Sequence, residues 1–149
     1  MQEDTTETVA NYHKELKKAF FTGKTQKKEW RKKQLEQLIL GLEEMLPELN
    51  EATKKDLGRD GFTNFFLEVS TIISQAKYDS ENIEKWSNPS KRDTPMALAP
   101  AKSRVVYQPL GAVCILGAWN FPFVTLLLPF ISALAAGNCV LLKPSEMSP

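Results

Sequence analysis

The sequence predicts an α/β fold: N-terminal amphipathic helices leading into one βαβ unit of a parallel sheet, incomplete within these 149 residues. Three observations carry that expectation. Over the first hundred residues, apolar side chains recur at three- and four-residue spacing among Lys, Arg, Glu and Gln, the period of a helix with one buried face. From Val105 to Leu142 no residue is charged. That stretch is divided by Pro109, Gly111, Gly117, Pro122, Pro129 and Gly137 into short blocks of unlike character, which argues for buried strands and a helix rather than a single membrane span.

The helical half reads in order. Asp4-Thr5-Thr6-Glu7 has the spacing of a capping box, and Val9, Tyr12, Leu16, Ala19 and Phe20 then share a helical face. Gly23 and Thr25 mark a break. Leu35, Leu38, Ile39, Leu42, Met45, Leu46 and Leu49 form the next stripe, and Asn50 is placed to cap a short helix ending at Gly58. Phe65, Phe66, Val69, Ile72, Ile73, Ala76, Ile83 and Trp86 define a third long amphipathic helix, closed by Asn88-Pro89-Ser90. Residues 89–103, with Pro89, Pro95 and Pro100, read as an extended connector.

In the uncharged half, Ala112 to Leu116 is a short block of strand formers. Phe123 to Ala136 has helix length, with Pro122 suited to a first turn and Gly137 to the position after the end. Pro129 is expected to kink this helix. Cys139 to Leu142 is a second strand block. Strand, helix, strand without polar alternation is the pattern of a buried parallel βαβ unit.

Composition narrows the function. Lys and Arg number 19 against 18 Asp and Glu, a net charge of +1. No overall field draws nucleic acid or an anionic membrane, so neither is an expected partner. Cys114 and Cys139 sit among apolar residues and read as buried core thiols outside any CxxC motif. His13, the single histidine, reads as a solvated surface residue, and no structural metal site is expected. The polar start Met1-Gln2-Glu3-Asp4 has no secretory-signal character, so the expected compartment is the cytoplasm.

In an open parallel sheet, ligands bind beyond the carboxyl ends of the strands. Two segments lie there. Gly117-Ala118-Trp119-Asn120-Phe121-Pro122 places a side-chain amide where a helix N-terminus favours negative charge. Lys143-Pro144-Ser145-Glu146 places a cation and a carboxylate just past the next strand, suited to phosphate and to ribose hydroxyls. The structural alternatives at these positions are a core Trp119, a helix-capping Asn120, and solvated loop charges at Lys143 and Glu146. Neither GxGxxG nor GxxxxGK[ST] occurs.

These blocks, with Gln108-Pro109-Leu110-Gly111-Ala112-Val113 upstream and Ala135-Ala136-Gly137-Asn138 between them, resemble the aldehyde dehydrogenase superfamily in order and spacing. Phe20-Phe21-Thr22-Gly23-Lys24-Thr25, Asp56-Leu57-Gly58 and Pro129 resemble its class 3, or fatty-aldehyde, branch. The likeness runs from about Val9 to Pro149. It implies a Rossmann-like dinucleotide-binding sheet and an oxidation of aldehydes to carboxylates, with NAD or NADP as cofactor. Asn120 matches the family asparagine that stabilises the oxyanion of the thiohemiacetal. Leu116, Gly117, Ala118, Trp119 and Asn120 match the stretch lining the nicotinamide and ribose end of the cofactor. Lys143, Ser145 and Glu146 match the segment that binds the adenosine ribose. A glutamate at position 146 would repel a 2′-phosphate and so favours NAD, although class 3 relatives often accept both.

The family nucleophile, a cysteine in a Gly-Gln-x-Cys context, and the general base, a glutamate in a Glu-Leu-Gly-Gly context, have no counterpart here. Cys139 falls on a strand and is not a substitute. The expected organisation is residues 1–103 as helical region and connector, and 104–149 as the first βαβ part of the NAD(P)-binding domain. The functional expectation is an N-terminal piece of an NAD(P)-dependent aldehyde dehydrogenase, inactive by itself and homo-oligomeric when whole. The alternative is a non-catalytic short product that pairs with or regulates full-length subunits. By itself the chain is expected to expose apolar faces of 112–116, 123–136 and 139–142.

Overall fold

The computed structural model describes residues 5–149. Helix α1 spans Thr6–Phe21, and its cap is Thr5, whose hydroxyl accepts from the Thr8 amide at 3.2 Å. Asp4 of the expected capping box lies outside the described residues. The chain turns at Gly23, where φ is +73°, the left-handed conformation that glycine adopts without a Cβ penalty.

The stripe from Leu35 to Leu49 is divided between two helices, α2 (Lys28–Glu44) and α3 (Leu46–Leu57). Pro47 sits in the first turn of α3. It has no N–H to return to Glu43, so one continuous helix would lose a bond there and the axis breaks at Met45. Asn50 lies inside α3 rather than capping a helix, and its side-chain oxygen accepts from Asn64 Nδ2 at 2.8 Å. The end at Gly58 is as expected, with φ +66°.

Asp60 caps the next helix by accepting from the Thr63 amide at 3.0 Å. That helix begins as α4 (Gly61–Asn64), widens into a π turn at Phe65–Val69 and continues as α5 (Ser70–Ser87). Val69, Ile72, Ile73, Ala76 and Ile83 are buried as expected, whereas Phe65, Phe66 and Trp86 are exposed. A π turn takes in an extra residue. Periodicity extrapolated backward from α5 therefore points the phenylalanines to the wrong face. Residues 89–103 are not simply extended. They hold strand β1 (Ser90–Arg92), which pairs antiparallel with β2 (Ser103–Val105).

The βαβ unit follows as predicted: β3 (Ala112–Leu116), α6 (Pro122–Ala135) and β4 (Cys139–Lys143). The strands are parallel, with Ala112 opposite Cys139 and Leu116 opposite Lys143. Helix α6 packs on both strands on one side and on α2 and α5 on the other. Leu35, Leu42, Ile72, Ile83, Ile131 and Leu134 meet in that core. A helix covered on several sides needs apolar residues all round, which accounts for the absence of charge along it. Helix α1 lies along β4 and β3.

One core expectation is corrected. Cys139 is buried, and burial pushes its thiol pKa up, but Cys114 is exposed. Successive strand residues face opposite ways. Ile115 is buried, and its neighbours Cys114 and Leu116 are not. Among the described residues, no helix is long and apolar enough to cross a membrane.

Candidate functional site at the carboxyl edge of the parallel strands

The register brings the two predicted segments to one edge of the sheet. Leu116 stands beside Lys143, and the Gly117 amide extends the ladder by donating to the Lys143 carbonyl at 2.9 Å. Gly117 suits the packing: a Cβ there would lie 3.2 Å from Leu126 Cδ1 and 3.3 Å from Leu126 Cβ, so that Leu126 would have to give way slightly. The strand end and α6 thus approach closely. Thr125 secures the exit by accepting from the Ala118 amide at 2.9 Å.

The loop then enters α6 through Phe121, whose side chain offers no cap. The free amides of the first turn are met instead by Glu68, 55 residues earlier in the sequence. Its Oε2 accepts from the Phe123 amide at 2.8 Å and from the Val124 amide at 3.0 Å. The side chain is fully buried, and a carboxylate at a helix N-terminus is favoured by both the orphan donors and the dipole. Its other oxygen pairs with Arg59. Arg59 sits between the Gly58 helix end and the Asp60 cap, a corner that sends its side chain across to α6. It donates from Nη2 to the Asn120 carbonyl at 2.8 Å, and its guanidinium carbon lies 4.8 Å from the centre of the Phe121 ring.

The opposite end of α6 is held in the complementary sense. Buried Arg31 donates to the Ala135 carbonyl at the helix C-terminus and to the Gln26 carbonyl at 3.1 Å. A negative group thus meets the positive end of α6 and a positive group the negative end.

Asn120 is exposed, and among the described residues its side-chain amide has no hydrogen-bond partner. It is therefore not the helix cap. Trp119 is 53% exposed and so is not core either. On the second segment, Lys143 and Glu146 are ion-paired and solvated, and the Lys143 hydrogen bond holds the Glu146 carboxyl below its ordinary pKa. Ser145 accepts from the Met147 amide at 3.2 Å. Leu116, Ala118, Trp119, Asn120, Lys143 and Glu146 thus present exposed groups at one sheet edge, with Gly117 half-buried among them.

Sequence reasoning missed Arg59 and Glu68. A signal existed: Glu68 shares helical spacing with Ile72 and Ala76, as Arg31 does with Leu35, so each is a charge on an apolar stripe. Such a residue is buried only when paired.

A parallel βαβ unit with exposed polar groups beyond the carboxyl ends of its strands is the arrangement in which open α/β sheets bind ligands. The comparisons narrow this. The model of the aldehyde dehydrogenase family matches residues 1–149, and the chain belongs to that family. Aldehyde dehydrogenase family 3 member H1 of Arabidopsis thaliana is 36% identical over 141 residues, which are 95% of this chain and 29% of that protein. The dimeric NADP-preferring aldehyde dehydrogenase of Rattus norvegicus is 32% identical over 145 residues, 95% of this chain and 31% of that protein. The substrate-bound state of Staphylococcus aureus AldH superposes with a TM-score of 0.91 at 30% identity, covering 95% of this chain and 31% of that one. The chain spans about 30% of the length of the relatives it matches.

Proposed function

We propose that these residues supply the oxyanion donor and part of the cofactor site of an NAD(P)-dependent aldehyde dehydrogenase. The observation that carries the reading is Asn120. Its unpartnered amide stands at the carboxyl edge of the sheet, on a loop whose backbone is bound on both sides and at Asn120 itself. A side-chain amide carried on a backbone held in that way can donate to the oxygen on which charge develops when a thiolate adds to an aldehyde carbonyl. The thiolate and the general base belong to sequence outside these residues, and Cys139, buried on β4 with a raised pKa, is not the nucleophile.

The strand edge suits the cofactor. Gly117 lets the strand end pack against Leu126 of α6, and Leu116, Ala118 and Trp119 would line the cofactor's nicotinamide end. Lys143, Ser145 and Glu146 would meet the adenosine ribose, with the Glu146 carboxylate accepting from its hydroxyls. When bound, the cofactor accepts hydride from the substrate carbon. A glutamate at 146 favours NAD by repelling a 2′-phosphate. The division at about residue 103, helical region before and cofactor domain after, is part of the same reading, as are a homo-oligomeric whole enzyme and a cytoplasmic setting.

The test is to isolate the native protein with an antibody to residues 26–49, measure its mass, and assay aldehyde-dependent reduction of NAD+ and NADP+. Turnover reduced roughly 10²- to 10³-fold by Asn120→Ala supports the reading. A 16.8 kDa species without turnover rejects it in favour of a non-catalytic partner of full-length subunits.

A further inference from the structure

We infer that Arg59 and Glu68 are positioning residues for the Asn120 donor, an inference that deepens the proposed function and rests on it. A single amide donor contributes most when it is held within about 0.5 Å of the productive geometry. Within the loop from Gly117 to Phe121, the strand side is tied by the Gly117–Lys143 and Ala118–Thr125 bonds. The helix side is tied by Glu68 on the Phe123 and Val124 amides. Among the described residues, only Arg59 reaches the Asn120 backbone itself, at the carbonyl, while its guanidinium carbon lies over the ring of the next residue, Phe121.

The two side chains act as one unit. Glu68 uses one oxygen for the α6 amides and the other for Arg59, and Arg59 uses one nitrogen for Glu68 and the other for Asn120. The planar fork of arginine can make these bonds together and stack as well, whereas a lysine offers one point of contact. The unit sits on the α3–α4 corner and the π turn, outside the βαβ unit. The loop is therefore clamped from a second element rather than by its own hairpin geometry. Glu68 is buried to the last atom, so it cannot trade its partners for water.

Two experiments decide this. In an active preparation, kinetics are compared for wild type, Arg59→Lys, Asn120→Ala and the double variant. Arg59→Lys keeps a cation for Glu68 but gives up the bond to Asn120. The expected result is a fall of about 10-fold in kcat with the cofactor KM unchanged, and a double variant no slower than Asn120→Ala alone. A double variant a further 10-fold slower overturns the positioning role and leaves the proposed function standing. Wild-type turnover in Asn120→Ala overturns the proposed function itself.

The second experiment needs no catalysis. Amide hydrogen exchange in the chain of residues 1–149 is compared between wild type and Glu68→Gln. A glutamine has one acceptor oxygen for two sets of donors, so protection at Phe123 and Val124 should fall by about 10-fold or more, with the middle of α6 unchanged. Unchanged protection at both amides rejects the clamp whatever the activity. Should Glu68→Gln fail to fold, Glu68→Asp is measured in its place: its carboxylate stops one methylene short of the Phe123 and Val124 amides, and unchanged protection at both rejects the clamp equally.

Discussion

The two segments beyond the sheet edge are held in opposite ways. The Gly117–Pro122 loop is fixed by groups from other parts of the chain: Lys143 on β4, Thr125 on α6, Arg59 at the α3–α4 corner and Glu68 in the π turn. Past the Lys143 backbone, which pairs with β3, the described contacts of the Lys143–Glu146 segment are to sequence neighbours. Its ion pair spans three residues, both side chains are more than half exposed, and Ser145 bonds two residues ahead. A transition-state donor gains from being immobile before the reaction, since no reorganisation is then needed. Contacts to a ribose tolerate adjustment, because side chains at a wet rim can settle around the ligand as it binds. The difference in fixation thus matches the difference in proposed roles.

The largest expected effect comes from removing the clamp. Glu68→Ala leaves two α6 amides and the Arg59 guanidinium without their carboxylate, and should lower stability by about 3–5 kcal/mol, read from urea or thermal unfolding. A loss below about 1 kcal/mol would mean that water replaces Glu68 and that the loop is no better held than its neighbour. Gly117→Ala comes next. The added Cβ meets Leu126 at 3.2–3.3 Å, so overpacking of about 1–3 kcal/mol is expected, and a structure of the variant should show α6 displaced from β3.

On the solvated segment, Lys143→Ala should change stability by less than about 0.5 kcal/mol, since exposed pairs contribute little. The same variant should weaken cofactor binding measured by calorimetry, and an unchanged affinity would remove Lys143 from the site. The smallest effect is a titration. Glu146 has its pKa lowered chiefly by the Lys143 hydrogen bond, so Lys143→Ala should raise it toward that of an ordinary glutamate, followed by carbon-detected NMR. The sign is fixed by linkage: a depressed carboxylate stabilises the fold above its unfolded pKa and loses that contribution as pH falls through the folded value. For so exposed a pair, the melting temperature should hardly register it.

Much of the site was legible because its placement follows from local rules. Proline and glycine set the ends of α6, and the charge-free run between them, cut into short blocks, favours burial in a βαβ unit, which puts Asn120 and Lys143 at strand ends. The N-terminal helices were read less well. The break at Met45 turned on Pro47, and the π turn at Phe65–Val69 left no mark in the apolar spacing.

By itself the sequence determined the βαβ unit, its boundaries and the two segments at its edge, because backbone dihedral preference and side-chain period act over a few residues. The tertiary structure alone decided that Cys114 faces out while Cys139 faces in, that Asn50 serves Asn64 rather than a helix end, and that Glu68 and Arg59 reach the Asn120 loop. Those outcomes depend on which surfaces meet across 14 residues of chain for Asn50 and Asn64, and across 55 and 61 for Glu68 and Arg59. In the sequence, a buried charge registers only as an anomaly on an apolar stripe, and its partner becomes known once folding brings the two together.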